Sequence, residues 1–130
     1  MRTKLIILAM FMVGLVSCQQ ENPATGTMVY YVIKATYDNP ADHNGMINAE
    51  VTNVALTMPT GSNSTSLNLS TPHTTAEREY PAGMTVTATC QSVLTHVTVT
   101  VEIWRNGVKW KYLTVPGSDA YTDVTVTGTL

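Results

Sequence analysis

The sequence predicts an all-β fold, an immunoglobulin-like sandwich of two sheets with about seven strands, and three observations carry that prediction. From Met28 onward apolar and polar residues alternate with period two, and no stretch holds helical spacing. Val and Thr are in excess, and their stiff branched side chains suit a pleated surface better than a helix. Clusters of Asn, Asp, Pro and Gly interrupt the pattern at short intervals, as the turns of a sandwich do. The paired Cys and Trp of antibody domains are absent, so the prediction concerns architecture alone.

Taken in order, Met28–Thr36 is the first predicted strand, and Asp38–Gly45 is a turn or loop by every local sign. Met46–Met58 supplies the next strand, broken near Asn53, and Pro59-Thr60-Gly61-Ser62-Asn63 ends it. Thr65–Leu69 is a short strand, Thr74–Tyr80 a further one, and Pro81-Ala82-Gly83 turns the chain into Met84–Gln91. Val97, Val99, Val101 and Ile103 then alternate with Thr98, Thr100, Glu102 and Trp104. Asn106-Gly107 follows, a strong hairpin signal because both central positions of a type I′ turn need positive φ. A two-residue loop sets the register. Ile103 then faces Trp110 and Val101 faces Tyr112 on a core side, while Glu102 faces Lys111 and Trp104 faces Lys109 on a solvated side. The ion pair and the cation–π contact on that side are each worth about 0.5–1 kcal/mol. Pro116-Gly117-Ser118-Asp119 turns again, and Tyr121–Leu130 is the last strand, with Val124, Val126 and Leu130 aligned.

Before the domain stands an address. Arg2 and Lys4 give a short positive start, and Leu5–Val16 is an apolar run of about a dozen residues, against the roughly 20 that a helix needs to cross a bilayer. The closing tetrad Leu15-Val16-Ser17-Cys18 resembles the lipobox of bacterial lipoproteins. That resemblance implies removal of residues 1–17, a diacylglycerol on the Cys18 thiol and acylation of its new amino group. Two or more acyl chains make a stable anchor. Gln19 after the Cys, instead of the Asp that retains such proteins in an inner membrane, points by the same analogy to the outer membrane. Residues 18–27 lack any apolar period and read as a lipidated tether, with Gln19–Thr27 reaching at most about 30 Å, and residues 28–130 as the domain.

Removing Met1–Ser17 from the 130 residues leaves 113, room for one small domain. Arg2 and Lys4 leave with the signal, so five of seven basic side chains remain against nine acidic ones, a balance of −4. That balance argues against nucleic acid, and against electrostatic docking on anionic lipid. If Cys18 is acylated, Cys90 has no partner in the chain; in the run Met84-x-Val86-x-Ala88-x-Cys90, with Thr at the intervening positions, it reads as a small buried apolar residue.

Chemistry-bearing patterns are sparse. No Gly-rich phosphate loop and no Gly-x-Ser-x-Gly elbow occurs, and no cofactor is expected. His43, His73 and His96 show no paired ligand spacing, and Glu77 and Glu79 share one strand face about 7 Å apart without a further catalytic feature. Asp38, Asp42 and Asn44 offer the hard oxygen donors that calcium takes, in an order unlike an EF-hand, and the same residues are those of a tight turn. Trp104 beside Lys109, on the outer face of its hairpin, is a candidate contact for a sugar ring or an apolar patch of a partner.

The stretches Val29-Tyr30-Tyr31-Val32, Ala35-Thr36-Tyr37, Glu79-Tyr80-Pro81-Ala82-Gly83 and Val99–Gly107 are similar to the MmpS type, small accessory proteins of mycobacterial lipid exporters. The resemblance implies a small β-sandwich beside a transporter, without an active site. A lipobox stands here in place of that family's membrane helix, and its paired cysteines have no match. In its signal and Thr-rich strands the chain also resembles small lipoproteins of Bacteroides-like bacteria, whose gene neighbours often serve glycan uptake. The expectation is a lipid-anchored, non-enzymatic envelope protein that binds or scaffolds a protein complex or a glycan through Trp104, Lys109, Asp38, Asp42 and Asn44. A pilus-like subunit and an envelope hydrolase are the alternatives.

Overall fold

A computed structural model describes residues 26–58, 61–69 and 71–130; the signal, Cys18 and most of the tether lie outside the described residues. Among the described residues nine strands form two sheets: β1 (Thr27–Tyr37), β2 (Glu50–Met58), β3 (Gly61–Asn68), β4 (His73–Thr74), β5 (Arg78–Tyr80), β6 (Thr85–Ser92), β7 (Val97–Arg105), β8 (Val108–Val115) and β9 (Asp123–Thr129). One sheet runs β4-β1-β7-β8 with β5 also paired to β1, the other runs β3-β2-β6-β9, and every pairing is antiparallel. The expected sandwich is present. The eight segments delineated along the sequence become nine because the predicted Thr74–Tyr80 strand is two short pieces along one edge of β1, meeting Val32–Ile33 and Thr27–Val29. The predicted break near Asn53 is also there, as a register shift in the β2 pairings to β3 and β6. Strand β3 starts at Gly61, earlier than its turn-like residues suggest.

The period-two pattern places the core between the sheets. Val29, Tyr31, Ile33 and Ala35 of β1, Val97, Val99, Val101 and Ile103 of β7, and Val86, Ala88 and Cys90 of β6 are all buried there, with Val124 and Val126 of β9. Cys90 is fully buried and free, and burial with the nearby Asp123 charge pushes its thiol up to about 12. It behaves as an apolar filler. On the outward side of β6 and β9 the intervening threonines meet in register, with hydroxyl oxygens 3.3 Å apart in Thr85–Thr129, 3.0 Å in Thr87–Thr127 and 3.1 Å in Thr89–Thr125. Such pairs satisfy one another and stiffen the pairing of β6 with β9.

One core side chain is imperfectly matched. Tyr31 is fully buried, and among the described residues its hydroxyl has no hydrogen-bond partner; burial, with a smaller effect of Tyr80, pushes its pKa up to about 12. Removing an unsatisfied buried hydroxyl relieves a desolvation cost, so Tyr31→Phe is expected to raise stability by about 1 kcal/mol in urea unfolding. A loss of similar size would mean that the hydroxyl is satisfied by a buried water.

The β7–β8 hairpin departs from its predicted register. Arg105 pairs with Val108 and Trp104 with Lys109, as the Asn-Gly turn requires, and Asn106 and Gly107 have φ of 49° and 76°. Beyond that the pairing slips by one residue, so that Ile103 meets Lys111 and Glu102 meets Tyr112. Trp110 is the extra residue of a β-bulge. The expected Glu102–Lys111 pair is therefore not formed. The slip lets the Trp110 indole lie against Gly128 of β9, joining the open edges of the two sheets. Trp110 is inward, as expected, but the expected Ile103–Trp110 and Val101–Tyr112 pairs are not formed: Ile103 meets Lys111, Val101 meets Leu113, and Tyr112 is exposed.

Strand direction gives the sandwich two distinct ends. Strand β1 rises about 3.3 Å per residue and so carries the chain about 33 Å, from Thr27 to Tyr37. At the Thr27 end lie the β7–β8 turn, bonded to β1 through Asn106 N–H to Met28 O (2.9 Å) and Met28 N–H to Asn106 Oδ1 (2.9 Å), and the C-terminal Leu130. At the Tyr37 end lie the loops of residues 38–49, 93–96 and 116–122.

Candidate binding surfaces

The predicted site residues separate into two groups at different heights on the sandwich. Thr98, which bonds Asp38, is six residues from Trp104 along β7, about 20 Å. A single surface of Trp104, Lys109, Asp38, Asp42 and Asn44 is therefore not assembled.

At the Tyr37 end, Pro40–His43 forms one 3₁₀ turn, closed by Gly45 N–H to Pro40 O at 2.9 Å with Asn44 in the left-handed region. The carboxylates serve this geometry. Asp42 Oδ2 accepts from Asn39 Nδ2 at 2.7 Å, and Asp38 Oδ1 accepts the Thr98 hydroxyl at 2.6 Å. Gly117 sits where any Cβ would strike the His96–Val97 backbone and the Asp38 carboxylate, so the 116–118 turn closes tightly on this loop. Between this loop and the loop of residues 93–96 lies a cavity of about 400 Å³ lined by Asp38, Asn39, Asp42, His43, Leu94, Thr95 and His96. His43 stacks on Tyr37, and His96 Nε2 is 3.1 Å from Asp119 Oδ1. Met46, Ile47 and Leu94 are exposed on the same end, the first two beside a second cavity of about 380 Å³. Of the three histidines, His43 and His96 share the first cavity and His73 lies on β4. Among the described residues no group of three His, Cys, Asp or Glu side chains is placed to hold a metal ion.

The second group lies on the outward face of the β1–β7–β8 sheet and centres on Glu102. Its carboxylate faces outward yet the residue is only 2 % exposed, because its neighbours cover it. Oε1 accepts Lys34 Nζ at 2.9 Å and Lys109 Nζ at 2.8 Å, and Oε2 accepts the Trp104 indole N–H at 2.8 Å. Burial alone would raise its pKa; the bonds from Lys109, Lys34 and Trp104 outweigh burial and hold it at about 2. The anion is thus the form the fold selects. Around it runs a row of rings and cations. Tyr30 stacks on Trp104 with centroids 5.5 Å apart, and Lys109 Nζ is 5.8 Å from the Trp104 ring and 5.4 Å from the Tyr112 ring. Strand β7 lies between β1 and β8, so Tyr30 and Lys109 flank Trp104 from opposite sides. The Trp104 faces are occupied by neighbours, which leaves Tyr112 as the open aromatic of this row.

No protein family, curated protein or solved structure matches the chain. The Trp104–Lys109 contact was legible because it lies next to the turn. The seating of Glu102 by Lys34, and the part of Leu94 and His96 in the first cavity, were not, since residues distant in the chain meet only after the sheet is assembled. Glu79 accepts Gly26 N–H at 2.9 Å, a structural contact that pins the start of β1.

Proposed function

We propose that this protein is a lipid-anchored, non-catalytic binding module of the bacterial cell envelope, held to the outer membrane through Cys18 and accessory to a membrane complex. The observation that carries the reading is the polarity of β1. The tether enters at Thr27, and the cavity-bearing loops with exposed Met46, Ile47 and Leu94 lie about 33 Å away, where an anchored domain would present them to a partner. The resemblance to lipoproteins in the Leu15–Cys18 tetrad and to MmpS-type accessory proteins in the strands supports the same reading. The perturbed ionisable groups serve the fold: Glu102 is neutralised by two lysines, and Cys90 is held as a thiol. A second reading, a glycan ligand, is favoured by the first cavity, where Asp38, Asn39, Asp42, Thr95 and His96 surround an apolar Leu94.

The test compares wild type, Cys18→Ser and Leu94→Asp isolated from gently solubilised membranes. Cys18→Ser is expected to lose the acyl mass and leave the membrane fraction. Leu94→Asp is expected to stay anchored while losing about tenfold of the protein or glycan that copurifies with wild type. Wild-type protein recovered alone under every condition would overturn the binding role.

A further inference from the structure

The net charge of the mature chain hides a strong segregation. All five of its Lys and Arg residues lie on strands of one sheet: Lys34 on β1, Arg78 on β5, Arg105 on β7, and Lys109 and Lys111 on β8. Three of these are in the β7–β8 hairpin, whose one acidic residue is Glu102, buried and answered by two lysines. Glu77 and Glu79 are near the same end but across β1, at the opposite edge of the sheet. At the far end, Asp38, Asp42, Glu50, Asp119 and Asp123 make no ion pair with Lys or Arg among the described residues.

The hairpin also carries the chain's two tryptophans, Trp104 and Trp110, with Arg105 Cζ at 5.5 Å and Lys111 Nζ at 5.6 Å from the Trp110 ring. Val108 at its tip is 67 % exposed and Tyr112 is 65 % exposed. Indole and phenol rings beside cations, with an aliphatic residue leading, is the composition that settles at a lipid–water boundary. The tip is hydrogen-bonded to Met28, one residue inside the start of β1.

We propose that the β7–β8 hairpin docks on the anionic headgroup surface of the membrane that holds the anchor. Arg105 and Lys111, with Lys109 behind them, meet lipid phosphates, and the exposed Val108 and Tyr112 sit at the boundary with the acyl chains, while Trp110 stays packed against Gly128 just behind the tip. Docking orients the domain upright, with its acidic, cavity-bearing end repelled from the same surface and turned outward. It rests on the lipid-anchor reading above, which supplies the local concentration that lets a small patch bind.

The two tryptophans make the test direct, since both report on the hairpin alone. Lipoprotein purified from membranes is reconstituted in nanodiscs of phosphatidylcholine, with or without phosphatidylglycerol, containing lipids brominated near the headgroup. The acyl mass on Cys18 is measured on the same preparation. Tryptophan quenching is expected in the anionic discs, falling about threefold or more in neutral discs, in molar salt, and in the Arg105→Glu/Lys111→Glu variant. Val108→Asp, which alters only an exposed tip, is expected to reduce quenching as well. Acylated protein with unquenched tryptophans would leave the anchor standing and overturn docking. Quenching indifferent to lipid charge and to the double variant would overturn the anionic surface as its occupant. Protein without acyl mass would overturn the anchor and the docking built on it.

Discussion

Glu102→Gln is expected to destabilise the folded domain by about 3 kcal/mol near neutral pH, and to cost almost nothing in strong acid. The side chain sits 2 % exposed between two lysines, and its folded pKa of about 2 lies below the ordinary 4.5. A carboxyl whose pKa is depressed on folding contributes stability that is fully present above its unfolded pKa. That stability is lost as pH falls through the folded value. The wild-type advantage over Glu102→Gln should therefore hold from neutral pH down to about 4.5 and vanish towards 2. Gln keeps the shape and one acceptor oxygen, so the difference isolates the charge that Lys34, Lys109 and the Trp104 N–H address. Urea unfolding of both proteins across this range measures it. A gap that stays constant with pH would show that packing, and not ionisation, holds Glu102 in place.

Gly128→Val is expected to cost about 3 kcal/mol or more, enough to threaten folding of a domain this small, and Gly128→Ala about 2 kcal/mol. A Cβ at this position runs into the Trp110 indole. Gly128 is in register with Val86, so β9 has little freedom to retreat without breaking its ladder to β6. Trp110→Ala carries its own cost, because it uncovers the core at the edge where the sheets meet. In the Trp110→Ala background, however, the Gly128→Ala penalty should shrink by at least about 1 kcal/mol, a coupling that a double-mutant cycle reads directly. Additive penalties would mean that strand propensity, and not the indole, makes glycine necessary here.

How much of this was legible depends on how far apart the partners lie in the chain. The alternation from Val97 to Ile103 and from Val124 to Val126 marked core positions correctly, because period two is a property of a single strand. Asn106-Gly107 marked the hairpin, and with it the Trp104–Lys109 contact, because a turn and its first pairs are local. The bulge at Trp110 was not legible. Its cause is Gly128, on a strand of the other sheet, and nothing between Val108 and Val115 announces it. Glu102 was likewise placed on a solvated face with Lys111, since Lys34 is 68 residues away and reaches it only because β1 and β7 are neighbours. The Asp38–Gly45 loop was legible as a turn, and its Asp and Asn side chains do turn chemistry; the cavity it shares with Leu94 and His96 belongs to the assembled end of the sandwich.

By itself the sequence determined that this chain folds as β-strands, which side of most strands faces inward, and where the backbone reverses, because those follow from residue-scale sterics and alternation. The tertiary structure alone decided which strands neighbour one another, and hence which charges meet. A summed charge of −4 says nothing of position, whereas the strand order brings Arg105, Lys109 and Lys111 together in the hairpin near the tether and leaves Asp38, Asp42, Asp119 and Asp123 at the other end. Pairing between distant segments is settled by packing two sheets into one core, and no local pattern contains that information.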